Sequence, residues 1–553
     1  MMKKIFSLFF LFTLGSVIAA TSDKPILRVG LLSDTHVTKN IASCSKVKAA
    51  WQIFKKANCD LVVNLGDIAE VYNQQAYRHY RNTVNSLFAP GEKKPRELYV
   101  YANHDRIGFS DIAKAFAAVK RDLECPNAPY DTLILKGYPF LVFPQFLDFQ
   151  RYEKTIAEAI KKFPGKPIFV LDHIPPYNTV SHSKTWGNLD RRKILDKFPQ
   201  VIHLAGHVHG STFNERHIWQ DKFTVVNAGS TLSGTVLIME VFKSKLLFRR
   251  YSLIDGKEYC TDKVWNIPLP FDPSAAPYRL EHRKAKSSVP VFPAGAKLAV
   301  VPAENISGYV ILEIPAAAPE VHYYMVTIKK KNAKNKWVLV ATRKVNSAFP
   351  LRPIDRPPVL KRYFSEGYFE SHAEYHISVQ PFNFYGKKGK SLEIFWKAPQ
   401  KAKSEILFES RTPMKDLPFM TGLAGGEPLK REGDFYIHDV HYARLVLPDR
   451  VWKNIPENSR MRFTVDMHTI QKSDLYRQWT LVLRNPIPVV NANSRITTFS
   501  GESVNRYVIN FRMTETDYKY YLLIREGEAG KIRFNYVKLE ILEDNLNNKD
   551  VKK

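Results

Sequence analysis

Five short apolar segments in the first half of the chain are each followed by residue types that commonly bind metals. The segments are Leu27–Leu32, Leu61–Leu65, Leu98–Tyr101, Ile168–Leu171 and Val201–Ala205. They are rich in leucine and β-branched residues, which is typical of buried strands. Between the first two segments, Val47–Ala57 has apolar residues at spacings of three and four, which predicts a helix. This alternation predicts an α/β domain.

The residues that follow these segments form the candidate site. They are Asp34 and His36, then Asp67, then Asn103, His104 and Asp105, then His173, and last His207 and His209. In open α/β sheets the carboxyl ends of the strands border the ligand crevice, so these side chains are predicted to converge. A single motif of this kind is more often a turn or a cap. Five such motifs, each directly after a predicted strand, predict a metal centre.

The chemistry of such a centre suits phosphate ester cleavage. This reaction needs positive charge on the phosphoryl oxygens and a hydroxide at neutral pH, and two neighbouring metal ions supply both. Ligands with mixed oxygen and nitrogen atoms accept zinc, manganese or iron, so residue type does not select one metal.

The same motifs, in this order and spacing, resemble the calcineurin-like metallophosphoesterase family over residues 25 to 245. The motifs are Asp34-Thr-His36, Gly66-Asp67, Asn103-His104-Asp105, His173 and Gly206-His-Val-His209. The resemblance implies a β-sandwich flanked by helices and two divalent ions, Mn, Zn or Fe. It places one ion on Asp34, His36 and His209. It places the other on Asn103, His173 and His207, with Asp67 as the bridge.

The resemblance also implies two catalytic residues that are not ligands. His104 would stabilise the transition state or protonate the leaving oxygen, and Asp105 would orient it. Purple acid phosphatases have a tyrosine three residues after the bridging aspartate, where this chain has Glu70. The motif His173-Ile-Pro-Pro176 instead resembles the phosphodiesterase branch. The sequence therefore favours a phosphodiesterase over a phosphatase.

The N-terminus has the order of a signal peptide. Lys3 and Lys4 precede an apolar run, and small residues end at Ala20. The run is shorter than the roughly twenty residues of a spanning helix, so cleavage and export are expected. Residues 1–20 are interpreted as the signal peptide, and the mature protein as periplasmic or secreted without a transmembrane anchor.

The rest of the chain divides into three further parts. The catalytic domain is predicted over residues 25–270 and is followed by a Pro-rich linker over 271–296. Strand-like runs then predict an all-β sandwich over 297–399. In it the stretch from Tyr375 to Gly386 resembles a fibronectin type III strand, in which a tyrosine closes the corner.

A second all-β sandwich is predicted over residues 404–543, and its last strand resembles the end of carbohydrate-binding jelly rolls. Tyr436, Trp452 and Trp479 could stack on sugars, although such residues are also typical of a core. An alternative function follows: a surface protein that binds carbohydrate or another polymer, with a structural or vestigial metal site. Against it, all the expected metal ligands are present.

The chain is strongly basic, with 82 Lys and Arg against 54 Asp and Glu, a net charge of +28. Such a charge favours anionic neighbours, including an anionic envelope polymer. The excess lies in short scattered clusters and not in one arm, so no specific nucleic-acid role is predicted. The four cysteines lack any C-x-x-C pair, which predicts disulfides or buried thiols and not a metal site.

Overall fold

The computed structural model shows an N-terminal α/β unit followed by two antiparallel β units, which confirms the predicted fold class. It describes residues 24–303, 308–401, 404–411, 419–421, 426–438, 442–452, 455–456, 458–471, 480–484, 495–497, 502–512, 521–525 and 530–542. The predicted signal peptide lies outside the described residues. Within them, no helix is long and apolar enough to cross a membrane.

The N-terminal unit contains thirteen strands and seven helices within the described residues. The strands are β1 Leu27–Leu32, β2 Leu61–Asn64, β3 Arg96–Tyr99, β4 Asp131–Leu135, β5 Tyr138–Val142, β6 Ile168–Leu171, β7 Val201–Ala205, β8 Ile218–Gln220, β9 Thr224–Asn227, β10 Thr235–Val241, β11 Lys245–Ser252, β12 Glu258–Tyr259 and β13 Trp265–Pro268. The helices are α1 Ser45–Lys56, α2 Gln74–Asn85, α3 Asn103–Arg106, α4 Ile112–Leu123, α5 Phe149–Lys162, α6 Ser183–Trp186 and α7 Leu189–Leu195.

Two mixed sheets form the centre of this unit. The first has the order β12-β11-β10-β1-β2-β3, with β13 beside β11, and its strands β1, β2 and β3 are parallel. The second has the order β4-β5-β6-β7-β9-β8, and β5, β6, β7 and β9 are parallel. The carboxyl ends of the parallel strands carry the candidate site residues.

The alternation of side chains along each strand places the two sheets face to face. Leu27, Val29 and Leu31 of β1 point into a core shared with residues of β5, β6 and β7. Helices α1, α2 and α4 cover the outer face of the first sheet, and α5 and α7 cover that of the second. The unit is therefore a four-layer sandwich. At Gly30 a Cβ would lie 2.6 Å from the Phe54 ring, so the lack of a side chain lets α1 pack closely.

The segment predicted as a Pro-rich linker contains a helix, α8 Leu280–Lys286. Proline clusters on both sides hide its short helical pattern in the sequence. Arg283 of this helix donates to the Glu215 side chain at 2.7 Å. Glu215 also accepts hydrogen bonds from the buried Arg250 and from Trp265. One buried carboxylate therefore fastens the linker to the N-terminal unit.

The second unit consists of two antiparallel sheets around one core. Its strands are β14 Ala299–Pro302, β15 Tyr309–Pro315, β16 Val321–Lys331, β17 Trp337–Asn346, β18 Val359–Ser365, β19 Glu374–Asn383 and β20 Leu392–Lys397. The sheet orders are β14-β15-β18 and β17-β16-β19-β20. The hydroxyl of the buried Tyr375 accepts a hydrogen bond from the Glu370 amide at 2.6 Å, the contact of a tyrosine corner. The fibronectin resemblance itself stays a prediction.

The third unit is a second β-sandwich. Its strands are β21 Ser404–Arg411, β22 Phe419–Thr421, β23 Arg431–Glu432, β24 Phe435–His438, β25 Tyr442–Val446, β26 Arg460–Gln471, β27 Thr480–Arg484, β28 Arg495–Thr497, β29 Glu502–Arg512, β30 Tyr521–Arg525 and β31 Gly530–Leu542. Tyr436 and Trp452 belong to its buried core and do not form a sugar-stacking surface. Trp479 lies outside the described residues. The four cysteines of the chain are buried free thiols.

We expect Glu215→Gln to destabilise the N-terminal unit by about 3–5 kcal/mol, because it leaves the buried Arg250 without its counter-charge. The control is Glu281→Gln, which removes one carboxylate from the exposed face of α8. Unfolding of the N-terminal unit in urea, followed by tryptophan fluorescence, gives the midpoint of its transition. A midpoint for Glu215→Gln equal to that of the control would contradict this account of the linker.

Candidate metal centre

The seven predicted ligands lie at one edge, where the two sheets meet. Asp34, His36 and Asp67 follow β1 and β2 of the first sheet, and Asn103 follows β3. The remaining ligands follow β6 and β7 of the second sheet; they are His173, His207 and His209. The His207 amide donates to Asp34 Oδ2 at 3.0 Å, which ties the two sheets together at the site.

The first group of side chains is Asp34, His36, Asp67 and His209, whose ligand atoms lie within 4.8 Å of one another. His209 Nε2 is 3.1 Å from His36 Nε2 and 3.1 Å from Asp34 Oδ1. Two imidazole nitrogens and a carboxylate oxygen therefore face one point. This is the arrangement expected around a cation, which all of these atoms can share as ligands.

The second group is Asp67, His173 and His207, so Asp67 belongs to both groups. His173 Nε2 is 3.2 Å from Asp67 Oδ2 and 3.1 Å from His207 Nδ1. His173 Nδ1 donates to the Leu65 carbonyl at 2.7 Å, which leaves its Nε2 as the ligand atom.

Three oxygen atoms of the site are buried without a well-aligned hydrogen bond among the described residues: Asp34 Oδ1, Asp67 Oδ2 and Asn103 Oδ1. The first two face the ligand nitrogens of His209 and His173. A buried oxygen that lacks a partner costs on the order of 1–3 kcal/mol, and more when it is charged. Metal ions would satisfy these oxygens together with the paired imidazole nitrogens. The residues present therefore fit a metal centre.

The pKa values in the site show how closely its charges interact. Burial lowers the pKa of His173, but the charges of Asp67 and Asp34 outweigh it and raise this pKa to about 10. Burial and the charge of His173 lower the pKa of His207 to about 3. Burial raises the pKa of Asp67, yet His173 and other neighbouring histidines bring it below its usual range. Metal binding must therefore displace the proton of His173, and affinity should rise with pH.

The backbone holds the ligands in a conformation that most residues avoid. Five of the seven have a positive φ: Asp34 at 50°, His36 at 44°, Asp67 at 52°, His207 at 71° and His209 at 47°. Such strain is typical of functional sites, where the surrounding fold maintains it. A Cβ on Gly206 would lie 2.8 Å from Asp34 Oδ2, so this position has no room for a side chain.

Comparison with known families decides the nature of the first unit. Residues 27–211 match the family model of calcineurin-like phosphoesterases, a family of metal-dependent phosphoester hydrolases. The N-terminal unit is a calcineurin-like phosphoesterase domain. The match ends before the two β-sandwich units. No curated protein sequence matches the chain.

Solved structures match the chain only weakly. The N-terminal CBM22-1-CBM22-2 tandem domain from Paenibacillus barcinonensis Xyn10C is 10% identical, with 56% of this chain and 92% of that chain covered and a TM-score of 0.16. A glycosyl hydrolase family 2 member from Bacteroides cellulosilyticus is 10% identical, with 94% of this chain and 62% of that chain covered and a TM-score of 0.17. At these TM-scores, neither match supports a shared fold or ligand.

His104 of the phosphoesterase domain is half-buried beside the first group. Its ring lies edge-on to His36 with centroids 4.6 Å apart, and its amide donates to Asp67 Oδ1 at 3.0 Å. Its Nδ1 is 2.6 Å from the Glu70 carbonyl oxygen and donates to it, because a carbonyl can only accept. The Nε2 atom is therefore left for exchange of a proton with a substrate.

Asp105 has four hydrogen-bond partners. Its Oδ1 accepts from the Tyr77 hydroxyl at 2.8 Å and from the Ile68 and Ala69 amides, and its Oδ2 accepts from the Ala102 amide. No hydrogen bond between the described side chains of Asp105 and His104 is among these contacts, so orientation of the His104 ring by Asp105 stays a prediction. Asp105 joins the loop of Asp67 to the loop of Asn103, and the Glu70 carbonyl orients His104.

Glu70 is a residue of the site that the sequence motifs do not reveal. Its carboxylate lies 2.9 Å from His36 Nδ1, while His36 Nε2 faces the first group. A carboxylate that holds the far nitrogen of a ligand histidine fixes the ring and raises its basicity. The spacing of three residues after Asp67 is a signal that could have indicated it.

We expect Glu70→Gln to weaken metal affinity about 10- to 100-fold, because His36 loses its charged partner. Glu158→Gln is the control, since Glu158 lies on the exposed side of α5 in the same domain. Competition with a chromogenic chelator measures the affinity for Mn²⁺ and Zn²⁺. Equal affinities for the two variants would show that Glu70 does not support His36.

Proposed function

We propose that this chain is an exported phosphoesterase with two metal ions and that it hydrolyses a phosphodiester in preference to a phosphomonoester. The observation that carries the proposal is the pair of ligand groups that share Asp67. The family match supports hydrolysis of a phosphoester, and two neighbouring groups with one common carboxylate support two ions.

In this proposal Asp34, His36 and His209 would hold one ion, and Asn103, His173 and His207 would hold the other. Asp67 would be a ligand shared by both. When bound, the ions supply positive charge for the phosphoryl oxygens and lower the pKa of the attacking water. The buried oxygens of Asp34, Asp67 and Asn103, which lack a well-aligned hydrogen bond among the described residues, support these roles.

The side chain of His104 donates the proton that the leaving oxygen needs. The Glu70 carbonyl accepts the Nδ1–H of this ring, so the imidazolium form of His104 is the donor and the proton that it transfers is the one on Nε2. Asp105 is a positioning residue, because its four hydrogen bonds fix the segment that carries Asn103 and His104. Proton donation of this kind contributes about 10²- to 10⁴-fold in rate.

The preference for a diester is supported by the motifs around the centre. The motif from His173 to Pro176 resembles the phosphodiesterase branch, and position 70 carries a glutamate instead of the tyrosine of purple acid phosphatases. The metal identity is open to Mn, Zn or Fe, because the ligand atoms are oxygen and imidazole nitrogen.

The purified protein is expected to hydrolyse bis(p-nitrophenyl) phosphate faster than p-nitrophenyl phosphate. Activity should stop on chelation with EDTA and return with Mn²⁺ or Zn²⁺. Every proposed ligand is a protein side chain, so the emptied site can bind metal ions again. Release of p-nitrophenolate measures both reactions. A protein that binds two equivalents of metal and cleaves neither ester would exclude the proposed function.

A pair of variants separates ligand from catalyst. Asp67→Ala is expected to lose both metal equivalents, because both groups contain this carboxylate. His104→Ala should keep both metals and lose about 10²- to 10⁴-fold in rate with a phenyl diester, whose leaving oxygen needs a proton. Metal content is measured by inductively coupled plasma mass spectrometry and rate by steady-state kinetics.

Two esters that differ in their leaving group test proton donation by His104 directly. A p-nitrophenolate leaves without protonation, so His104→Ala should lose far less rate with a p-nitrophenyl diester than with a phenyl diester. Equal losses with both esters would argue against proton donation by His104. Loss of metal from His104→Ala would make it a ligand, and full metal content in Asp67→Ala would refute the bridge.

Export rests on the N-terminal order of lysines, apolar run and small residues up to Ala20. We expect the full-length chain, expressed with a C-terminal tag, to appear outside the cytoplasm with residues 1–20 removed. Cell fractionation and the intact mass of the product measure this. The control lacks residues 2–20 and should stay in the cytoplasm. An uncleaved product in the cytoplasm would rule out export.

A further inference from the structure

A cleft of 530 Å³ lies where the second and third units meet. Its walls come from the ends of β17 and β18, from Tyr309 at the start of β15, and from the segment 508–510 of β29. The cleft is separate from the phosphoesterase domain, none of whose residues line it.

Three cationic residues line this cleft: Arg343, Lys344 and Arg362. Arg343 and Lys344 are neighbours on β17 and point to opposite faces of the sheet, and the Lys344 amine lies over the Tyr323 ring, 4.1 Å from its centroid. The cations that face the cleft are therefore the two guanidinium groups. None of the described residues that line it is acidic, and none of the three cations forms an ion pair with a described residue. Some other cations of the same unit do form ion pairs, including Lys330 with Glu370, Lys331 with Glu374 and Lys361 with Glu313. Among the residues that the structure describes, no carboxylate therefore compensates the positive charge of the cleft.

The guanidinium groups are held in place before any ligand binds. Arg362 donates to the Asn346 carbonyl at 2.9 Å and to the Lys361 carbonyl at 3.2 Å, which leaves three of its five N–H groups for a ligand. Arg343 lies over the ring of the buried Tyr368, 5.7 Å from its centroid. A fixed cation loses little side-chain entropy on binding, so it binds an anion more tightly than a mobile one.

The walls of the cleft are rigid as well. The Thr342 amide donates to Asn505 Oδ1 at 2.8 Å, which joins β17 to β29. Val508 of β29 packs in the core of the second unit, and a Cβ on Gly367 would lie 2.7 Å from it. The second and third units therefore form one packed junction, and the cleft is part of it.

The positive potential continues from the cleft toward the phosphoesterase domain. Burial lowers the pKa of His182, and the charges of Arg216 and Lys344 lower it further. Burial and the charge of Lys344 also lower the pKa of His322, to about 3. His182 precedes α6, whose last residue Trp186 contacts the His207 ring. An anion in the cleft thus lies in a region that neighbouring cations favour.

We propose that this cleft binds a tetrahedral oxyanion, the phosphate or sulfate group of a polyanionic chain. Each arginine presents parallel N–H groups that match such an oxyanion, and two guanidinium groups exceed what a single carboxylate needs. Tyr309 and Tyr363 also line the cleft, with their rings edge-on and their centroids 6.4 Å apart, and the 52% exposed Tyr363 ring is accessible to the backbone of the polymer. The proposal does not depend on the phosphoesterase activity.

The test measures binding of fluorescently labelled polyphosphate and of labelled dextran sulfate to the full-length mature protein by anisotropy. Excess EDTA is present throughout, so that the metal centre does not contribute. The variants are R343Q/R362Q and, in case the Arg362 contacts matter for folding, R343Q/K344Q. The control is K388Q/K390Q, which removes two exposed charges from the same unit. Thermal melting confirms that all variants fold.

We expect the cleft variants to weaken binding at least tenfold and the control less than threefold, because only the cleft variants remove cations of the site. Binding of one probe and not the other would identify the oxyanion as phosphate or sulfate. Equal weakening in cleft and control variants would show a general charge effect and overturn the proposal. Failure of the wild type to bind either probe at 50 mM salt would overturn it as well.

Discussion

The carboxylate of Asp67 is the group on which the geometry of the metal centre depends. It is almost fully buried, with one oxygen bonded to the His104 amide and the other 3.2 Å from His173. A buried carboxylate is costly unless positive charge compensates it. Asp67 follows β2 of the first sheet, whereas His173 follows β6 of the second. The same carboxylate therefore joins two sheets and two ligand groups, and neither group can move without the other.

Because the two ligand groups are coupled, the surrounding fold must hold their loops in fixed positions. Five ligands have a positive φ, which the local sequence does not favour and the four layers of the domain must maintain. Hydrogen bonds hold the loops that carry the ligands. The His207 amide donates to Asp34, and Asp105 accepts from the Ile68 and Ala102 amides. The ligand atoms are thus in place before a metal arrives, so little ordering opposes binding.

The parts of the structure that the sequence predicts are those set by local periodicity. The predicted bounds of β1, β6 and β7 agree with the structure, because each is a short buried run with a polar residue at its end. β3 begins two residues earlier than predicted, since pairing with β2 includes Arg96, which is exposed and breaks the apolar pattern. The partners of Asp105 and the role of Glu70 depend on how loops meet in space, and no periodicity encodes that. Helix α8 was missed for a similar reason: its contact with Glu215 stabilises it, not its own sequence.

Both proposals place anionic groups of a ligand at two separate positions of one molecule, and this has a consequence for catalysis. Contacts far from the reacting phosphate can provide the free energy that orients it at the metal centre. A small diester bound by the centre alone would lack this contribution. A polymer held in the cleft by Arg343 and Arg362 would have it, provided that its chain spans the distance between the sites. Arg216 and Lys344, whose charges both act on His182, favour the same arrangement, because they lower the electrostatic cost of keeping a polyanion close to them.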